Sequence, residues 1–430
     1  MKHIELLAPA GSLEKMKYAI RFGADAVYLG IPDFSLRVRI NKFGEKDIQE
    51  AVKYAHKRKK KIYVTLNIYV HNQHLPQIER HLKFLKKLSV DGVIVSDPGI
   101  INLAKKHLPK TDIHLSTQAN ATNWQAVKFW AGEGVKRIIL AREVTLAEIG
   151  EIKKHNPKVE LEYFVHGAMC MSYSGRCILS KWMTNRSANL GDCSQPCRWA
   201  YRPVKSSKCK VKSFGIPLKR DNYLYSSLRE EMKGYEINLE EDRHGTYFFN
   251  SYDLNLIEHV KDLIDAGIDS LKIEGRAKSA YYVAIVTRAY RKVLDAIETH
   301  CNASLRKKII KEQRKELDNL VNRGYTTGFL LGKEPEHNFS GKSFGNKFQF
   351  VGEVVGMKDK LNIVRVHNEI YLKDKLEAIT PEKNMPVKIK KIYNYKMQEA
   401  EEAHGGHERK YFFVFSEVLP AGSLIRKKLK

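Results

Sequence analysis

Cysteine is scarce in this chain, with six in 430 residues, too few for a disulfide-stapled fold of this length. Long apolar runs are also missing, since no window approaches the roughly 18 residues that cross a bilayer. The N-terminal stretch "MKHIELLAPAGSLEKMKYAI" interleaves acids and bases with apolar residues and lacks the shape of a secretory signal. Together these absences lead to the expectation of a soluble, cytoplasmic protein without a membrane partner. Several catalytic signatures are absent as well: there is no H-E-x-x-H, no Walker A loop and no C-x3-C-x2-C. Acid is in short supply, with 49 Asp and Glu against 75 Lys and Arg and a formal net charge of +26. Such a surplus favours polyanions, of which nucleic acid is the commonest. The segment from Arg202 to Arg220 carries Arg202, Lys205, Lys208, Lys210, Lys212, Lys219 and Arg220 with no acid between them.

Eight short aliphatic runs are present: residues 4–10, 26–30, 61–67, 92–97, 112–118, 137–143, 161–167 and 270–275. Most are separated by segments of helical spacing, such as Ile48, Ala51, Val52 and Ala55. Eight such units predict an α/β fold of the (β/α)8, TIM-like type. The strand ends turn polar at Asn67, Asp97, Gln118, Arg142 with Glu143, His166, and Lys272 with Glu274. In such barrels these ends converge on the C-terminal mouth, where a small polar or anionic ligand binds. The seventh unit is abnormally long and opens an insertion over 168–250. Helical segments are expected over 279–299 and 304–322, the second of them basic, with a Gly-rich linker after them. From 336 to 430, short alternating strands predict a small antiparallel β-barrel, so the barrel domain is assigned to 1–335. "HGGH" at 404–407 reads as a turn.

Cys170, Cys177, Cys193 and Cys197 open the insertion, whereas Cys209 and Cys301 stand apart. Only the last pair of the four has the C-x(2–4)-C spacing usual for structural zinc. Four thiolates also suit a 4Fe–4S cluster, and inert buried thiols are a third reading. Spacing alone leaves zinc and cluster open. Tyr173, Trp182 and Trp199 flank the cysteines, with core packing or base stacking as their alternatives.

The stretch "EYFVHGAMCMSYSGRCILS", Glu162 to Ser180, resembles the signature of the collagenase-like peptidase family, peptidase family U32, without a departure. "ELLAPAGS" (5–12), "GADAVYLG" (23–30), "KIEGRAKSAYYV" (272–283) and "RGYTTGF" (323–329) extend the resemblance over most of the chain. It implies, despite the family's name, an RNA-hydroxylating protein, chiefly one forming 5-hydroxyuridine at the wobble position of tRNA in the anticodon loop. Ribosomal RNA hydroxylation and proteolysis are the alternatives. The resemblance further implies a 4Fe–4S cluster on Cys170, Cys177, Cys193 and Cys197, prephenate as co-substrate, and an electron donor as a further partner. Arg37, Arg39, Arg142, Lys272 and Arg276 are the candidate binders of that dicarboxylate, and Asn67, Gln118, His166 and Glu274 the remaining candidates for catalysis at the mouth. The Arg202–Arg220 run and the 304–322 helix would track phosphates.

Overall fold

The computed structural model describes the chain except residues 1–2, 37–40, 42, 171, 199–200, 206–218, 221–222, 231–235, 239–240, 243–244, 247–250, 300, 334–342, 346, 407–409 and 430, and gives the backbone alone for 198 and for the strand segments within 201–246. Arg37, Arg39, Trp199 and Cys209 lie outside the described residues, as do the side chains of the Arg202–Arg220 run.

Eight parallel strands close into a barrel: β1 (Glu5–Pro9), β2 (Ala26–Gly30), β3 (Lys61–Leu66), β4 (Gly92–Val95), β5 (Asp112–Leu115), β6 (Arg137–Ile139), β7 (Glu160–Ala168) and β8 (Ser270–Ile273). β8 pairs with both β1 and β7, which closes the ring of eight strands. Helices α1 (Leu13–Arg21), α2 (Glu45–His56), α3 (Leu75–Leu88), α4 (Pro98–His107), α5 (Trp124–Gly132) and α6 (Leu146–His155) cover the first strands. Each strand is buried on both faces, which is why it reads as an aliphatic run. The helices start where the sequence offers caps. Ser12 accepts from the Lys15 amide, Asp97 from the Gly99 amide at 2.8 Å, and Thr145 with Glu148 forms a reciprocal capping box.

Beyond β7 the chain leaves the barrel. The short helix α7 (Leu179–Thr184) belongs to the cysteine-bearing loop, and strand Asp253–Asn255 brings the chain back, antiparallel to the end of β7. α8 (Val260–Asp265) then leads into β8, followed by α9 (Ala280–Glu298) and α10 (Ala303–Leu317). The segment expected as a linker contributes strand Tyr325–Thr326, which pairs with Asp253–Asn255. Residues 348–428 form an eight-stranded antiparallel sheet on its own core of Val351, Val354, Ile392, Phe413 and Ile425. This sheet stands where the small antiparallel barrel was expected, and the chain passes directly from its outer strand Asn384–Val387 to Ile389–Tyr393 near the opposite end of the strand order. Tyr281 of α9 stacks on Phe350 at 5.1 Å. The Arg426 guanidinium, also buried there, donates to Glu316 at 2.7 Å and to the Tyr281 hydroxyl at 3.2 Å. No helix among the described residues is long and apolar enough to cross a membrane.

Candidate active site at the barrel mouth

Alternation along the barrel strands decides what reaches the axis. Tyr28, Thr65, Ile94, Ser116, Phe164 and Lys272 point inward and wall a cavity of about 150 Å³ at the C-terminal ends of the strands. Asn67, Gln118, Arg142, Glu274 and Arg276 complete the wall, and Cys170, Cys177, Cys193 and Cys197 stand over it from the loop. Residues separated by more than 200 positions in sequence thus share one small space.

The loop is tied to the barrel rim. The Ser174 amide donates to Glu143 at 3.0 Å, the Thr117 hydroxyl lies 3.3 Å from that of Ser174, and the Tyr69 amide donates to the Asn189 carbonyl at 3.4 Å. Within the loop, the Ser194 hydroxyl lies 2.9 Å from those of Ser180 and Thr184. Gly175 adopts φ +77° where a Cβ would stand 2.1 Å from the Gln118 carbonyl oxygen. Only glycine fits there, so Gly175→Ala should lift the loop off the end of β5 at a cost of about 1–3 kcal/mol. Hydrogen exchange at the Ser174 amide is the check: faster exchange with a nearly unchanged global urea midpoint is expected, and unaltered protection would refute the anchoring role.

Asn67 bridges the rim, donating to Ser116 at 3.1 Å and accepting from the Leu36 amide at 3.2 Å. The Arg142 guanidinium lies 4.0 Å from the centre of the Phe164 ring. Arg276 is fixed by the Thr65 hydroxyl at 3.2 Å and by the Leu36 carbonyl, so it forms a rigid part of the wall. The Tyr28 hydroxyl sits 2.9 Å from the Ile273 carbonyl and 3.2 Å from Glu274. Burial and that carboxylate push its pKa well above the ordinary value, and the group stays a neutral donor.

Beneath the cavity lies a stack of buried charge. Lys272 donates to Glu162 at 2.6 Å, and its ammonium stands 4.4 Å from the centre of the Tyr28 ring. Glu162 also accepts from Arg137 at 3.1 Å and Ser270 at 3.0 Å. Arg137 reaches on to Glu160 at 2.7 Å and to Glu5, which accepts from the Tyr63 hydroxyl at 2.7 Å. Burial lowers the Lys272 pKa, with Glu162 opposing the shift. Burial raises that of Glu5, but the charge and hydrogen bonds of Arg137 outweigh it and the net shift is downward. His114, packed against Tyr63 at 4.6 Å, is pushed well below its ordinary pKa by burial and then by Arg137, and is neutral.

His166 is not part of this wall, which corrects its expected place at the mouth. The register between β7 and β8 shifts there: Lys272 pairs with Phe164, but Ile273 pairs with His166. This irregularity turns His166 outward, where it packs among Tyr282, Tyr290 and Tyr325, and burial pulls its pKa down to about 3. Asp97 is likewise a helix cap and no part of the cavity wall. The wall residues Tyr28, Thr65, Ser116 and Phe164, and Glu162 below them, escaped the sequence reading. Inward alternation on each strand carries their signal.

Cys170 is exposed, and Cys177, Cys193 and Cys197 are half-buried. Among the described residues, no three Cys, His, Asp or Glu side chains gather closely enough to share one metal ion. A structural zinc ion needs four donors about 2.0–2.3 Å from a single atom, whereas each thiolate of a 4Fe–4S cluster takes its own iron. Cys170, Cys177, Cys193 and Cys197 all line this one cavity, and four thiolates are a donor set that a 4Fe–4S cluster takes.

Residues 11–339 match the model of peptidase family U32, and residues 346–426 match that of the U32 C-terminal domain. The chain belongs to peptidase family U32. Within it, the chain is 40% identical to tRNA hydroxylation protein P of Haemophilus influenzae, across 96% of this chain and 93% of that protein. It is 38% identical to the 23S rRNA 5-hydroxycytidine C2501 synthase of Escherichia coli, across 68% of this chain and 40% of that one. A Collagenase of Porphyromonas gingivalis is 28% identical across 98% of this chain and 97% of its own length. The U32 signature segment Glu162–Ser180 runs from the buried carboxylate under Lys272, through β7, to the first two thiols of the loop.

Proposed function

We propose that this U32 protein is a tRNA-modifying oxidoreductase that hydroxylates wobble uridine at C5, with a 4Fe–4S cluster on Cys170, Cys177, Cys193 and Cys197 and prephenate as co-substrate. The observation that carries the reading is the convergence of four loop thiols and a basic barrel floor on one cavity. The names of the similar tRNA and rRNA proteins support the chemistry. A cluster held there supplies one-electron transfer, since four cysteine ligands leave no iron open. The chain's own groups bind and orient. Arg142 and Lys272 present positive charge to the carboxylates of the small acid. Phe164 and Tyr28 offer flat walls to rings, and Asn67, Ser116 and Gln118 line the rim with hydrogen-bonding groups. Converting C5–H to C5–OH removes two electrons from the uracil and adds one oxygen atom, so electron acceptor and oxygen donor both enter from outside the chain.

Phosphate contacts fall to α10, where Lys307, Lys308, Lys311 and Lys315 are exposed. Arg314 on the same helix is occupied by Glu258 and Asp318, each at 3.1 Å. A peptidase needs a nucleophile with a neighbouring base. A collagen-degradation assay on the purified protein separates that alternative from the RNA reading. Nucleoside mass spectrometry of total tRNA, with and without the gene, tests it. Loss of 5-hydroxyuridine and its alkylated derivatives, restored by the wild-type gene, is expected. An unchanged tRNA profile in a strain without a paralogue would overturn it and direct attention to ribosomal RNA.

A further inference from the structure

The cysteine-bearing loop places three large apolar side chains in water. Tyr173 is 65% exposed, Ile178 74% and Trp182 69%. α7 turns Ser180 and Met183 inward and leaves Lys181 and Trp182 outward. The Trp182 amide donates to the Ile178 carbonyl at 3.0 Å, so these two side chains are neighbours one helical turn apart. Tyr173 stands at the cavity rim. Core packing, the common fate of aromatics, does not apply to Tyr173 or Trp182, and exposed aromatics in a loop that borders a cavity mark a contact surface.

The charge around them selects the occupant. Arg176 and Lys181 are exposed in the same loop, and the only acid between Cys170 and Cys197 is Asp192, which is paired with Arg186 at 2.9 Å. A surface of flat rings bordered by cations, in a chain of net charge +26, is complementary to unpaired bases on a phosphate backbone. We infer that Tyr173 and Trp182, with Ile178, form a stacking platform for unpaired RNA bases flanking the nucleotide that enters the cavity. This rests on the RNA reading above and names the side chains that hold the loop.

The full-length protein is titrated with a short RNA stem-loop carrying a uridine in its loop, and with a blunt RNA duplex of equal charge. Trp182→Ala should weaken stem-loop binding roughly ten-fold or more. Trp182→Phe should restore most of it, duplex binding should stay constant, and the slope of binding against salt should not change because phosphate contacts are untouched. Unchanged stem-loop affinity in Trp182→Ala and in the double variant with Tyr173→Ala would overturn the platform. So would an equal loss on the duplex, or conversion of an oligomer to a monomer on gel filtration, which would assign the patch to a second copy. If the wild-type protein binds neither RNA, the RNA reading falls and the platform with it. If Trp182 governs stem-loop binding while tRNA nucleosides are unaltered by the gene, the platform stands and only the chemistry must be reassigned.

Discussion

Cys193→Ser, purified without oxygen, should lose the iron and acid-labile sulfide that the proposed cluster would give the wild-type chain, about four of each, while its far-ultraviolet dichroism stays that of the folded barrel. Cys193 stands over the cavity in a loop outside the barrel core, so removing its thiol subtracts a ligand and leaves the apolar packing intact. In cells, the variant should return 5-hydroxyuridine in tRNA to the level of the deletion strain. One zinc and no sulfide in the wild-type protein would replace the cluster by a staple. Full modification by the Cys193→Ser variant would remove the thiols from the chemistry altogether. The spectroscopic and metal readouts do not depend on turnover, so a missing electron-transfer partner cannot disguise the answer.

Arg137→Met should destabilise the barrel by about 3–5 kcal/mol, because it takes from buried Glu5 its main cationic partner and leaves buried Glu162 with the Lys272 ammonium alone. The pH dependence gives this prediction its sign. In the wild type, Arg137 holds the folded pKa of Glu5 below its ordinary 4.5, so the pair stabilises the fold above that pH and the contribution is lost as pH falls through the lower folded value. In the variant burial is opposed only by the Tyr63 hydrogen bond and Lys61, the smaller of the lowering influences, so the pKa rises, the carboxylate takes up a proton as pH falls and the penalty shrinks. Urea midpoints should therefore differ most near neutral pH and converge on acidification toward the carboxylate range. A gap that stays constant with pH would mean that lost packing, not uncompensated charge, sets the cost.

Much of the fold is legible because a closed parallel barrel buries both faces of every strand. The run expected at 26–30 coincides with β2, and that at 270–275 contains β8. The position of the cysteines after the seventh strand also follows from the sequence, since the distance to the eighth is too great for one loop and one helix. His166 shows where this reading stops. It ends an aliphatic run like the other strand ends, yet an irregularity visible only once β8 pairs with β7 turns it away from the axis. The charged stack under the cavity was hidden for a related reason. Glu5, Arg137 and Glu162 lie in different strands, and each alone reads as a polar residue near a strand terminus. Closure of the barrel makes them neighbours. The contact of Gly175 with the Gln118 carbonyl has no local signature either, since the glycine serves a segment more than fifty residues away.

The ion-paired floor beneath Lys272 makes the barrel a cul-de-sac. Under the proposed reaction, small acid, nucleobase and oxygen donor would share one doorway, and a macromolecule resting on the rim would block it for the others. Traffic would then be a queue: the small reactants go in first, the RNA arrives last, and it must step aside before the next round can load.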